Sequence, residues 1–111
     1  MSRKKEDFDF ELSTTEEHIL SVLLGVECYG LEIIKAVEEI SEGKRKIGFG
    51  SLYPLLHKLE KRGLVQSRWG EEKPEERNGA RRRYYRITGL GERALREAEQ
   101  LRVNLVAWQP A

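Results

Sequence analysis

Apolar positions along this 111-residue chain recur first at helical spacing, then in alternation, then at helical spacing again. Residues 1–12 read as a charged arm in which Phe8, Phe10 and Leu12 can tuck against a core. Ser13 to Glu17 form a helix start: Ser13 or Thr14 caps exposed N–H groups while a glutamate three residues on reaches back. The helix continues through Ile19, Leu20, Val22, Leu23 and Leu24 and stops near Gly25. Its wide apolar arc predicts burial on more than one side. A second helix, from Gly30 to about Glu42, places Ile33, Ile34, Val37 and Ile40 on one face, with Gly43 suited to its C-terminal end. The residues between the two helices read as a short turn.

Residues 44–50, Lys-Arg-Lys-Ile-Gly-Phe-Gly, are a basic connector. A third helix is expected to start at Ser51 as its cap, with Pro54 tolerated in the first turn. Leu52, Leu55, Leu56 and Leu59 form its apolar stripe, and Gly63 ends it. Residues 64–69 and 82–87 read as strands, and alternation with Ile87 turns Tyr85 inward. The polar stretch 70–81 between them, with the turn pair Asn78-Gly79, makes a hairpin with a long tip. Thr88 then caps a last helix. There Ala94, Ala98, Leu101, Leu105 and Trp108 recur in a heptad-like seam that suits a partner helix.

Helix, helix, helix, hairpin, helix predicts an α+β, mainly α, winged helix-turn-helix fold. The division is a charged arm over 1–12, a DNA-binding domain over 13–88 with its wing at about 64–88, and a dimerisation helix over 89–111. In this fold the third helix enters the major groove and the wing touches the backbone. With its leucines turned to the core, that helix presents Ser51, Tyr53, His57, Lys58 and Lys61 on the other side. Arg77 precedes the hairpin turn and Arg81, Arg82 and Arg83 follow it. The planar guanidinium fork suits phosphate oxygens. Glu71, Glu72, Glu75 and Glu76 either screen these arginines internally or sit on the far side and limit nonspecific affinity.

Charge changes the picture through its distribution, because the net charge is only +1. Residues 1–43 hold 4 Lys/Arg and 11 Asp/Glu, whereas residues 44–86 hold 13 Lys/Arg and 5 Asp/Glu. A basic middle segment suits an anionic partner. It equally suits the acidic first third of the same chain, so charge alone leaves both readings open. The longest apolar stretch, Val22 to Val26, is far too short for a bilayer, and the charged start has no secretory h-region. A cytoplasmic protein without membrane contact is expected.

Three stretches carry a family resemblance. Tyr29 to Ile33, Gly50 to Val65 (Gly-Ser-Leu-Tyr-Pro-Leu-Leu-His-Lys-Leu-Glu-Lys-Arg-Gly-Leu-Val) and Gly79 to Gly91 resemble the PadR family of bacterial and archaeal transcription regulators. The resemblance spans about residues 13 to 100. It implies a dimeric repressor of a short palindrome that responds to a ligand or signal. It implies DNA contacts from Ser51, Tyr53, His57 and Lys58 and from the wing arginines. It also implies dimerisation through the last helix, packed on the partner's first helix, in the manner of the family's short type. Some short members hold flat aromatic drugs between tryptophans at the dimer centre. Here that stretch is Gln100-Leu101-Arg102, with Trp108 further along, which departs from such a pocket.

The remaining residues add little chemistry. Cys28 is the only cysteine, which excludes an internal disulfide and a thiolate zinc cluster, and it reads as a structural thiol. His18 reads as a surface or interface residue, Trp69 as core packing and Trp108 as dimer packing. No nucleophile, phosphate loop or acid–base pair stands out, so no enzyme and no cofactor are expected. A small-molecule effector, if one acts, is expected near the dimer seam. The alternative to a DNA-binding homodimer is a winged-helix protein-interaction module that has lost specific DNA binding.

Overall fold

The computed structural model describes residues 11–71 and 81–111. The arm residues Phe8 and Phe10, the Asn78-Gly79 turn, Arg77 and the wing glutamates Glu72, Glu75 and Glu76 lie outside the described residues. Helix α1 spans Thr14–Val22 and starts on a capping box: Glu16 N–H donates to Ser13 Oγ (3.1 Å) and Ser13 N–H donates to Glu16 Oε1 (2.8 Å). The helix is shorter than its apolar run. Leu23 caps it and is buried, whereas Leu24 falls in the following turn and is exposed.

The presumed turn before the second helix holds a strand. β1, Cys28–Tyr29, pairs antiparallel with a later strand and leads directly into α2, Gly30–Ile40. Ile33 and Val37 of α2 enter the core, but Ile40, on the same side at the end of the helix, lies past the core and is 86% exposed. Helix α3 spans Phe49–Lys61, two residues earlier than the sequence predicts. Gly48 takes the cap position in an extended conformation, and its carbonyl accepts from Ser51 and Leu52 N–H. Ser51 is therefore inside the helix. Pro54 lies beyond the first turn and cannot donate to the Gly50 carbonyl. Leu52, Leu56 and Leu59 are fully buried. Gly63 ends the helix at φ +79°, a left-handed conformation that glycine adopts without Cβ strain.

β2 (Val65–Trp69) and β3 (Arg83–Ile87) form the wing hairpin, paired antiparallel from Val65↔Ile87 to Trp69↔Arg83. The sheet order is β1-β3-β2. Tyr85 points into the core as alternation predicts. Trp69 corrects the reading of a core residue. It has the parity of the buried Val65, but it lies at the far end of the strand and is 52% exposed.

Thr88 starts the last helix, α4 (Gly89–Ala107): its Oγ1 accepts from Gly91 N–H (3.0 Å) and donates to the Gly63 carbonyl (2.6 Å). Ala94 is completely buried in the core of this chain, so it does not belong to an exposed seam. Ala98 is half-buried, and Leu101, Leu105 and Trp108 are exposed. Residues from α1, α2, α3, the sheet and Ala94 thus close one core. The architecture is a winged helix-turn-helix with an extended C-terminal helix. No helix among the described residues is long and apolar enough to cross a membrane.

Candidate nucleic-acid interface

The three buried leucines fix the rotation of α3, so the opposite side faces out. Ser51, Tyr53, His57, Lys58 and Lys61 are all exposed on it. Tyr53 is only partly available. Its hydroxyl end lies over Gly30, the first residue of α2, where an added Cβ would collide with it. Its ring is stacked on that of Phe49, with centroids 5.9 Å apart and planes 8° from parallel. The polar end that sequence reasoning turned outward is therefore tucked in, and Phe49 is the more exposed ring at 52%.

Lys58 of α3 and Arg62, the residue that caps its C-terminal end, bind back to α1. Lys58 Nζ is 3.8 Å from Glu16 Oε2, and Arg62 Nη1 is 3.7 Å from Glu16 Oε1. Arg62 Nη2 also donates to the Glu11 carbonyl (2.8 Å). Glu16 thus caps α1 and counters the charge of the C-terminal half of α3. The Lys58 side chain remains 63% exposed. A pair with one partner in water is worth about 0–1 kcal/mol, so a phosphate can compete for this lysine. His57 and Lys61 make no ion pair or hydrogen bond among the described residues.

The wing arginines divide by environment. Arg83 is held: Nε donates to Ser67 Oγ (3.1 Å), Nη2 is 3.9 Å from Glu60 Oε1, and the guanidinium lies 4.9 Å from the Trp69 ring centroid. Ser67 Oγ in turn donates to Glu60 Oε2 (2.8 Å), which ties both wing strands to α3. Arg82 is half-buried and sits 4.4 Å over the Tyr29 ring, which itself meets Tyr84 edge-on. Arg81 is exposed. Among the described arginines of the predicted cluster, Arg81 is the exposed one, and the half-buried Arg82 and Arg83 pack onto the wing.

On the outer sheet face Arg68 grips Glu27 with two bonds, Nε to Oε2 (2.9 Å) and Nη2 to Oε1 (2.7 Å). Those bonds hold the Glu27 carboxyl below the usual carboxylate range. Arg86 donates to Gln66 Oε1 (2.6 Å). Cys28, in β1 of the same sheet, is buried, and burial pushes its thiol up. That environment suits a structural thiol.

Two further exposed groups adjoin this face in the chain. By sequence Phe49 falls in the connector, because the glycines on either side of it hide the helix start that the structure places there. Lys44, Arg45 and Lys46 were noted as basic but not placed. They are exposed, lead into α3 through the buried anchor Ile47, and make no ion pair among the described residues.

Residues 19–97 match the Transcriptional regulator PadR-like family. The chain is 34% identical over 91 residues to the transcriptional regulator Rv3488 of Mycobacterium tuberculosis, covering 80% of this chain and 76% of that one. It is similar to the crystal structure of a PadR family transcriptional regulator from Eggerthella lenta, with a TM-score of 0.71, 32% identity, and coverage of 84% and 75% of the two chains. It shares the fold of Bacillus subtilis PadR, crystallised in complex with operator DNA, at a TM-score of 0.69 and 21% identity, over 91% of this chain and 51% of that one. With its winged helix-turn-helix and a match over most of its length, this chain belongs to the PadR-like family of transcriptional regulators.

Proposed function

We propose that the chain is a homodimeric repressor that acts in the cytoplasm and reads a short palindromic operator. Helix α3 enters the major groove, and the wing and the basic connector hold the backbone. The observation that carries this reading is the outward face of α3. It sets Ser51, Tyr53, His57, Lys58 and Lys61 opposite three buried leucines, in a chain whose basic connector and Arg81 are also exposed. B. subtilis PadR, which has the same fold, was crystallised on its operator. Side chains of this kind meet base edges and phosphates in a groove.

The second copy docks through α4. Leu101, Leu105 and Trp108 are exposed, with Trp108 at 71%, and an apolar stripe of this kind suits a partner helix. Ala98 continues the stripe towards the body, where it ends at the buried Ala94. A small-molecule effector at this seam would act by changing the angle between the two copies of α3.

The test is affinity for a duplex selected by the full chain from a random library, measured at two salt concentrations. Lys44, Lys46 and Arg81 from both subunits give six phosphate contacts. Releasing their counterions lowers affinity by about a thousandfold between about 50 and 200 mM salt. If no sequence is enriched and salt has no effect, the chain is instead a winged-helix protein-interaction module.

A further inference from the structure

Phe49 is the first residue of α3, and half of its surface is open to solvent. An apolar ring at the leading end of a groove-reading helix needs a reason, because its neighbours are charged or bare. Lys44, Arg45 and Lys46 precede it. Gly48 and Gly50 flank it, and apart from their chain neighbours and the helix's own backbone no atom lies within 4 Å of where a Cβ would sit on either glycine. Open space thus lies beside Phe49 on both sides along the chain, where a duplex can approach closely. Its other face is stacked on Tyr53, whose hydroxyl end is lodged at the start of α2. The ring is thus supported from behind and presented forward, with little side-chain freedom left to lose on binding.

The major groove displays one apolar group on its base edges, the thymine C5 methyl. We propose that Phe49, braced by Tyr53, contacts a thymine methyl in each half-site and so selects an A·T pair under the leading end of α3. The assignment rests on the DNA-binding reading above and adds a specificity element to it. The cationic connector places backbone phosphate beside the same helix end, which fits a base-edge contact by the ring.

The test selects operators from a random duplex library with the wild-type chain and with the Phe49→Ala and Phe49→Leu variants. Each selected thymine is then replaced by deoxyuridine, which removes the methyl and leaves pairing intact. For the wild type, one thymine per half-site should be sensitive, with affinity falling about fourfold for each methyl withdrawn from the contact. Phe49→Ala should lose that sensitivity and tolerate any base pair there. Phe49→Leu, still apolar, should keep part of it. Circular dichroism melting separates these outcomes from misfolding, since a half-exposed side chain contributes little to the core. If the wild type and Phe49→Ala select the same site and respond equally to deoxyuridine, Phe49 is not the reader and the inference falls while DNA binding stands. If the wild type selects no site at all, the DNA-binding reading falls with it.

Discussion

One hydroxyl links the wing to α3 through two hydrogen bonds. Ser67 Oγ donates to Glu60 of α3 and accepts from Arg83 of the opposite wing strand, so Ser67→Ala removes both bonds. Hydrogen bonds to charged partners contribute about 1.5–3 kcal/mol when well buried. Here the Arg83 and Glu60 side chains are 38% and 35% exposed, and they stay 3.9 Å apart without the serine. Water and that residual pair offset part of the loss, leaving a cost of about 1 kcal/mol. For a domain of this size that lowers the melting temperature by about 4 °C. The decisive assay is a double-mutant cycle of Ser67→Ala and Glu60→Gln, read by urea denaturation at fixed protein concentration, because dimerisation adds to stability. A unit of three groups should give a coupling of about 0.5–1 kcal/mol. Operator affinity should also fall more than nonspecific affinity, since the wing loses its fixed angle to α3. If the two changes add within about 0.3 kcal/mol, the network does not act as a unit and this reasoning fails.

Two further outcomes follow from the sheet. Glu27 has a folded-state pKa below its unfolded value, so the unfolded state takes up its proton first as pH falls; the stabilisation from Arg68 is present above about pH 4.5 and lost below it. Chemical denaturation of wild type and Glu27→Gln across this range should give curves that differ at neutral pH and converge in acid, and a constant gap would contradict the assignment. Cys28, buried with a raised thiol pKa, should react with iodoacetamide at pH 8 only at the rate of unfolding, and prompt alkylation of the native protein would show that the thiol is open.

What could be read from the sequence was what is local and periodic. The Ser13–Glu16 capping box, the leucine stripe of α3, the inward Tyr85 and the Thr88 cap each depend on residues a few positions apart. β1 was missed because two residues are too few to show alternation, and its partner lies far along the chain. Trp69 misled because parity gives the side of a strand but not how far the core reaches along it. Ile40 and Ala94 erred in opposite directions for the same reason, since helical spacing gives the face and packing sets its limits. The start of α3 was displaced because Ser51 is a better side-chain cap than Gly48, yet backbone geometry places the cap at Gly48. The restraint of Arg83 by Glu60, and of Arg68 by Glu27 41 residues away, has no local signature.

The most direct measurement of where α3 sits is dimethyl sulfate footprinting on a selected duplex with guanines in both half-sites. Guanine N7 lines the major groove. The wild-type chain at saturation should protect N7 in two patches about one helical turn apart. A His57→Asp/Lys61→Glu variant that melts like wild type should protect neither. Unchanged N7 reactivity in a saturated wild-type complex would show that the exposed face of α3 is not in the groove.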